Sequence, residues 1–121
     1  MKLFLDAEWN GLGGSLISMA LVSDRGAEWY CVVDVPKEPD PWVAEHVIPY
    51  LGEGPVGEKT FLTSLEAFLI EAGGAQIYAD WPADFEHLSR ALTAISARRG
   101  FKMLLECTMH LVESGELHPA V

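Results

Sequence analysis

Asp6 and Glu8 stand two apart in the opening segment KLFLDAE, just after an apolar run of Leu3, Phe4 and Leu5. If that run is a strand, positions i and i+2 face the same way, with Cα atoms about 7 Å apart. Two carboxylates held like this can share hard, oxygen-seeking cations such as Mg²⁺ or Mn²⁺. Two such cations roughly 4 Å apart can clamp a phosphodiester and activate water. Taken alone, Asp-x-Glu also describes a strand that emerges into solvent and ends in acids. The apolar context points to a central strand, where carboxylates are costly unless something compensates them. A cation is the simplest compensation.

A second acidic group, Asp80 and Asp84, lies in IYADWPADFEHL. Asp80 is expected to end a strand, and Pro82 to open the helix after it. One of the two acids should cap that helix or complement its dipole. The other is then available as a third carboxylate at the same sheet edge. His87 on this helix reads as a surface or boundary residue rather than a ligand. His46 and His110 fall on predicted helices and read as surface or packing residues, and His118 lies in the last segment, ELHPAV. No His or Cys pair has zinc-finger spacing. The NGLGG turn has no following helix or lysine and reads as a hairpin, not a phosphate cradle. Trp9, beside the first acids, is a candidate for stacking on a base, with core packing as its plainer use. Asn10 is grouped with it as a substrate contact.

The elements that must position these residues follow from periodicity. KLFLDAE, SLISMALVSD and AEWYCVVDV, separated by NGLGG and Arg25-Gly26, predict three antiparallel strands in a meander. Pro36 to Pro41 ends that pattern, and Pro41 suits a first helical turn. Trp42, Val43, Val47 and Ile48 then predict a buried stripe continuing towards Leu51. After GEGPVG, the spacing of Phe61, Leu62, Leu65, Phe68 and Leu69 predicts an amphipathic helix from Glu58, stopped at Gly73-Gly74. Ala75 to Ala79 predicts a short strand, and Asp84 to Ala97 a helix with Phe85, Leu88, Leu92 and Ile95 on one side. FKMLLE is a candidate strand, and Thr108 to Ser114 reads as helical. This order describes a mixed α/β sheet flanked by helices. The strand after the long helix should lie parallel to the first, bringing Asp80 near Asp6 and Glu8.

The chain of 121 residues fits a single domain, 1–121, and half of it is apolar, enough for a core without staples. Cys31 and Cys107 are too few for a disulfide framework. No leader-like segment and no apolar stretch near membrane-spanning length appears, so a cytoplasmic protein with reduced thiols and no membrane partner is expected. There are 18 acidic against 8 basic residues, a net charge of −10. A protein that grips nucleic acid by counterion release carries the opposite sign. An enzyme that reaches phosphate through bound cations can still be acidic. Arg90, Arg98, Arg99 and Lys102 form a local basic cluster, read either as a phosphate-facing patch or as a solvated helix end and loop.

Together these segments resemble the DEDD exonucleases, specifically a small bacterial exoribonuclease branch of the ribonuclease T-like, DEDDh group in the ribonuclease H-like superfamily. FLDAEWNG resembles the first motif, with Asp6 and Glu8 as its two acids. LISMALVSDRGAEWYCVV resembles the two strands that follow it, and WVAEHVIPYL a stretch seen in that branch. ADWPADFEHL is similar to the second motif, with Asp84 in the metal-site place and Asp80 at a position often held by a polar residue. LHPA resembles the start of the third, which would make His118 the base that deprotonates the attacking water. The resemblance implies a ribonuclease H-like fold with Mg²⁺ or Mn²⁺ held by Asp6, Glu8 and Asp84. It also implies hydrolysis at the 3′ end of single-stranded RNA, and it leaves room for a homodimer. In that family a fourth carboxylate follows the histidine by five residues, which here falls beyond Val121. The expectation is therefore a site lacking its fourth acid and closing helix, in a truncated chain or a short form with little activity. The alternatives are a catalytically silent module that binds RNA or protein, and a phosphoesterase for small nucleotides built on the same residues.

Overall fold

The computed structural model of the chain describes residues 1–98 and 107–112. Three strands, β1 (Lys2–Trp9), β2 (Leu16–Ser23) and β3 (Glu28–Val32), are joined by tight turns. The first turn needs glycine: a Cβ on Gly14 would collide with the carbonyl of Asn10. Ser23 closes the second, its Oγ accepting from the Arg25 and Ala27 N–H groups at 3.1 and 2.9 Å. Then come the short helix α1 (Pro41–His46), a 3₁₀ turn at Ile48–Tyr50, and α2 (Glu58–Ala72). β4 (Ala75–Ala79), α3 (Pro82–Arg98) and β5 (Cys107–Leu111) complete the order.

The five strands form one mixed sheet in the order β3-β2-β1-β4-β5, with β1 in the middle. β1 pairs antiparallel with β2 and parallel with β4. The parallel pairing follows because α2 carries the chain back across one face before β4 begins. Alternation along β1 sends Leu3, Leu5 and Ala7 into that face, each at most 4% exposed. There they meet Met19, Leu21 and Ile77 from the neighbouring strands, Phe61, Leu62, Leu65 and Leu69 of α2, and Leu88, Ala91 and Ile95 of α3. α2 stops where expected: Gly73 takes the left-handed conformation, φ +59°, and its N–H reaches the Leu69 and Ile70 carbonyls.

β2 carries an irregularity that matters for the opposite face. Trp9 pairs with Leu16 but Glu8 with Ser18, so Ile17 is an extra residue with no partner on β1. Such a bulge turns the local side-chain alternation. Leu16 packs against the main core, whereas Ile17 joins a second, smaller cluster with Val32, Val43, Val47 and Leu51.

Two expectations change. Cys107–Leu111 is a strand, not part of a helix over Thr108 to Ser114: it pairs parallel with β4 from Ala75↔Cys107 to Ala79↔Leu111, and His110 is therefore on a strand. The outer edge of β4 needs a partner, and that tertiary demand outweighs local helical spacing. The buried stripe from Pro41 does reach Leu51 through Val43 and Val47, but not on one continuous helix. α1 ends at His46, because Pro49 supplies no N–H and restricts the residue before it. Trp42 is not in the stripe: it is 59% exposed and stacks on His46 at 4.6 Å. FKMLLE and Ser114 lie outside the described residues. Among those described, no helix is long and apolar enough to cross a membrane.

These placements separate two substitutions of apolar residues. Ile77→Ala, at a fully buried position, should lower stability by about 2–4 kcal/mol. Trp42→Ala should change it by no more than ~0.5 kcal/mol. Urea unfolding of both variants checks this, and equal losses would refute the exposed placement of Trp42.

Candidate functional site

β4 runs beside only the first part of β1, pairing Gln76, Ile77 and Tyr78 with Lys2, Leu3 and Phe4. From Asp6 onward that side of β1 has no strand next to it. The Ala7 N–H is satisfied instead by a side chain, donating to Asp84 Oδ1 at 3.2 Å. Asp84 comes from the first turn of α3, which Pro82 opens. It is 1% exposed, and its Oδ2 has no hydrogen-bond partner among the described residues. A buried carboxylate oxygen left unmatched is costly, on the order of 1–3 kcal/mol or more. As expected of one of the two acids, Asp84 lies in the first turn of α3, where a negative charge complements the helix dipole. Asp84 spends its paired oxygen on β1, and Asp80 makes no side-chain hydrogen bond among the described residues.

Asp6 and Glu8 leave β1 on the face opposite Ala7, level with Ala20 and Ser18 of β2. The acids feel one another. Burial, and then the neighbouring Asp6, push Asp84 up to about 7, with Asp80 and Glu8 adding to the push and the Ala7 hydrogen bond opposing it. Asp6 is exposed and Glu8 half-buried; partial desolvation raises both, with Asp80 adding to the push at Asp6 and Asp6 at Glu8. Hard oxygen donors with one orphaned buried oxygen suit a divalent cation chemically. In arrangement they stop short of a cage: among the described residues no three His, Cys, Asp or Glu side chains converge as a metal-binding group. A cation would have to draw Asp6 and Glu8 towards Asp84.

On the face of Asp6 and Glu8 lies a cavity of about 320 Å³. Ser18, Tyr30, His46 and Tyr50 line it together with the two acids. The sequence reading did not place these four at the site. His46 and Tyr50, four apart in WVAEHVIPYL, carried a signal only as part of a family-like stretch. Ser18 and Tyr30 could have been found from strand alternation, since they stand in the rows of Glu8 and Asp6 across the sheet.

The remaining candidates divide. Trp9 is half-buried against the core, and one face of its ring is taken by His87 at 5.3 Å. Asn10 Oδ1 accepts from the Asp40 N–H at 2.7 Å, and its Nδ2 donates to the Glu38 carbonyl at 3.3 Å. His87 is 7% exposed, more deeply buried than a surface reading allows, because the end of β1 brings Trp9 over it. Arg90 is paired with Glu86 at 2.7 Å, and Arg98 donates to Thr63. His118, Arg99 and Lys102 lie outside the described residues. Both cysteines are free thiols.

The raised Asp84 has a measurable consequence without any cation. Folded chain keeps a proton there that unfolded chain releases between its ordinary 3.8 and about 7, so this carboxyl makes stability fall as pH rises through that window. His87, pushed down by burial, works in the opposite sense below its ordinary value, so the informative quantity is a difference. In chelator, Asp84→Asn keeps the acceptor for Ala7. It should gain stability over wild type progressively from about pH 4 to about pH 7 and level off above that, read from urea unfolding at each pH. A constant difference across that range would remove Asp84 as the titrating group.

No family model matches the chain, and a search of curated proteins found no relative.

Proposed function

We propose that Asp6, Glu8 and Asp84 form a divalent-cation site in a ribonuclease H-like core, and that the chain acts as a metal-dependent 3′-5′ exoribonuclease. The observation that carries this is the buried Asp84 carboxylate, with one oxygen bound to β1 and the other orphaned beside two further acids. Like charges gathered at the end of a central strand repel one another, and a cation is the compensation that also gives the arrangement a use. The sheet supports the reading as well: three antiparallel strands, then β4 parallel to the acid-bearing strand.

In this scheme Asp6, Glu8 and Asp84 hold Mg²⁺ or Mn²⁺. The cations would supply Lewis acidity to a phosphodiester and lower the pKa of water. Asp6 and Glu8 both line the cavity, so they stand where the terminal nucleotide of a strand would be held. The choice of RNA 3′ ends rests on the sequence resemblance, as does the role of His118 as the base accepting the proton of the attacking water. A catalytically silent module is the second reading. It is favoured by the acids' failure to converge as a ligand group and by the net charge of −10.

Mn²⁺ in hundredfold excess over its Kd should stabilise wild type by on the order of 2–3 kcal/mol, several degrees in Tm. Asp6→Asn should abolish that rise. A 5′-labelled single-stranded RNA should be shortened from its 3′ end in Mn²⁺ or Mg²⁺. Asp6→Asn should slow this by about 100-fold or more, since losing a group that only orients a metal ligand already costs roughly 10–100-fold. Absence of both metal-linked stabilisation and cutting would reject the enzyme and leave the silent module.

A further inference from the structure

The segment between β3 and α2 crosses the face of the sheet that carries Asp6 and Glu8, and it is fastened at both ends. At the first, Asn10 uses both ends of its amide: Oδ1 accepts from the Asp40 N–H at 2.7 Å and Nδ2 donates to the Glu38 carbonyl at 3.3 Å. Asp40 Oδ1 then accepts from the Trp42 N–H at 3.0 Å, which starts α1. Gly11 leaves room for this approach: its φ is +73°, and a Cβ there would press on Asp40 Oδ2 at 3.3 Å. At the second fastening the Tyr30 hydroxyl donates to the Leu51 carbonyl at 2.8 Å. Between the two, Val43, Val47 and Leu51 sit on Ile17 and Val32.

A helix of six residues has little stability of its own, so its position is imposed by these attachments. Asn10 also directly follows the strand that carries Asp6 and Glu8. The same turn that ends β1 therefore sets where His46 and Tyr50 stand relative to the acids across the cavity.

We propose that residues 40–51 form a two-point strap that sets the width of this cavity, with Asn10 as the positioning residue at its first fastening. Asn10 governs how tightly a terminal nucleotide is held through Asp40 and the strap, without touching the substrate itself. The identity of the ligand rests on the exoribonuclease reading; the mechanics of the strap do not.

The test uses the full chain with Asn10→Ala, Tyr30→Phe and the double variant. Tyr30→Phe removes one hydroxyl only and guards against a folding failure at the turn. Hydrogen exchange of amides 42–51 should quicken in each variant, while amides of β1 and α2 keep wild-type rates. With a short 5′-labelled RNA in Mn²⁺, Asn10→Ala should raise KM by roughly tenfold and leave kcat within about twofold. The double variant should be little worse than Asn10→Ala alone, because a strap freed at one end has already lost its position. Unchanged exchange in 42–51, or faster exchange throughout the chain, overturns the strap. Faster exchange in 42–51 with KM unmoved, or a fall in kcat instead, overturns its role in holding substrate. If the wild-type chain cuts no RNA, the exoribonuclease reading falls and takes the substrate role with it. The exchange pattern then still decides whether Asn10 pins the strap.

Discussion

The hydrogen bond from the Ala7 N–H to Asp84 Oδ1 is made at the point where β4 runs out and the central strand loses its neighbour on that side. A buried backbone donor must be satisfied, and with no strand available the donor is met by a side chain from α3. That fixes the start of α3 against the end of β1 and holds an acid inside the protein at 1% exposure. It also leaves the second oxygen with no partner. One carboxyl group thus serves two ends: one oxygen completes the sheet, and the other is held without a hydrogen-bond partner near Asp6 and Glu8.

The two faces of the sheet divide the work. One carries the larger share of the apolar burial, with Leu3, Leu5, Met19, Leu21 and Ile77 under α2 and α3. Stability concentrated there leaves the other face free to hold groups that destabilise the fold, as functional sites commonly do. The bulge at Ile17 is the device that links them. Without an extra residue between Leu16 and Ser18, strand alternation would return Ile17 to the main core, and the strap would lose one of the two strand residues its apolar side chains rest on. A local irregularity in β2 thus anchors the segment that brings His46 and Tyr50 to the acids.

Much of this was legible in the sequence, because periodicity is a statement about burial. The first three strands, the face of α2 and the parallel placement of β4 all follow from where leucine, isoleucine and glycine fall. Asp6 and Glu8 drew notice for a different reason: acids after an apolar run on a central strand call for compensation. Asp84 was one of two acids, and only the family resemblance preferred it to Asp80. Pairwise tertiary facts were hidden. Nothing local in CTMHL says that β4 needs a second partner, and the spacing there fits a helix equally well. Trp42 has the right spacing for the core, yet its ring meets His46 instead. Asn10, adjacent to the acids, invites a substrate role, and only the fold reveals Asp40 and Glu38 at both ends of its amide.

The charge of −10 bears directly on how the proposed site would meet RNA. Among the described residues no lysine or arginine lines the cavity beside Asp6 and Glu8. Arg90 and Arg98, half of the basic cluster, are engaged with Glu86 and Thr63. Arg90 and Glu86 form an exposed i,i+4 pair worth only about 0.3–0.5 kcal/mol, so Arg90 is not locked away, but it stands on the outer side of α3. A phosphodiester approaching Asp6, Glu8 and Asp84 without cations would meet only negative charge at close range. Salt would screen that repulsion beyond roughly 8 Å, not at contact. Cation binding and phosphate binding are therefore inseparable at this site: the charge that relieves the orphaned Asp84 oxygen is the same charge a phosphate requires. The metal and nucleic-acid parts of the proposal then stand or fall together.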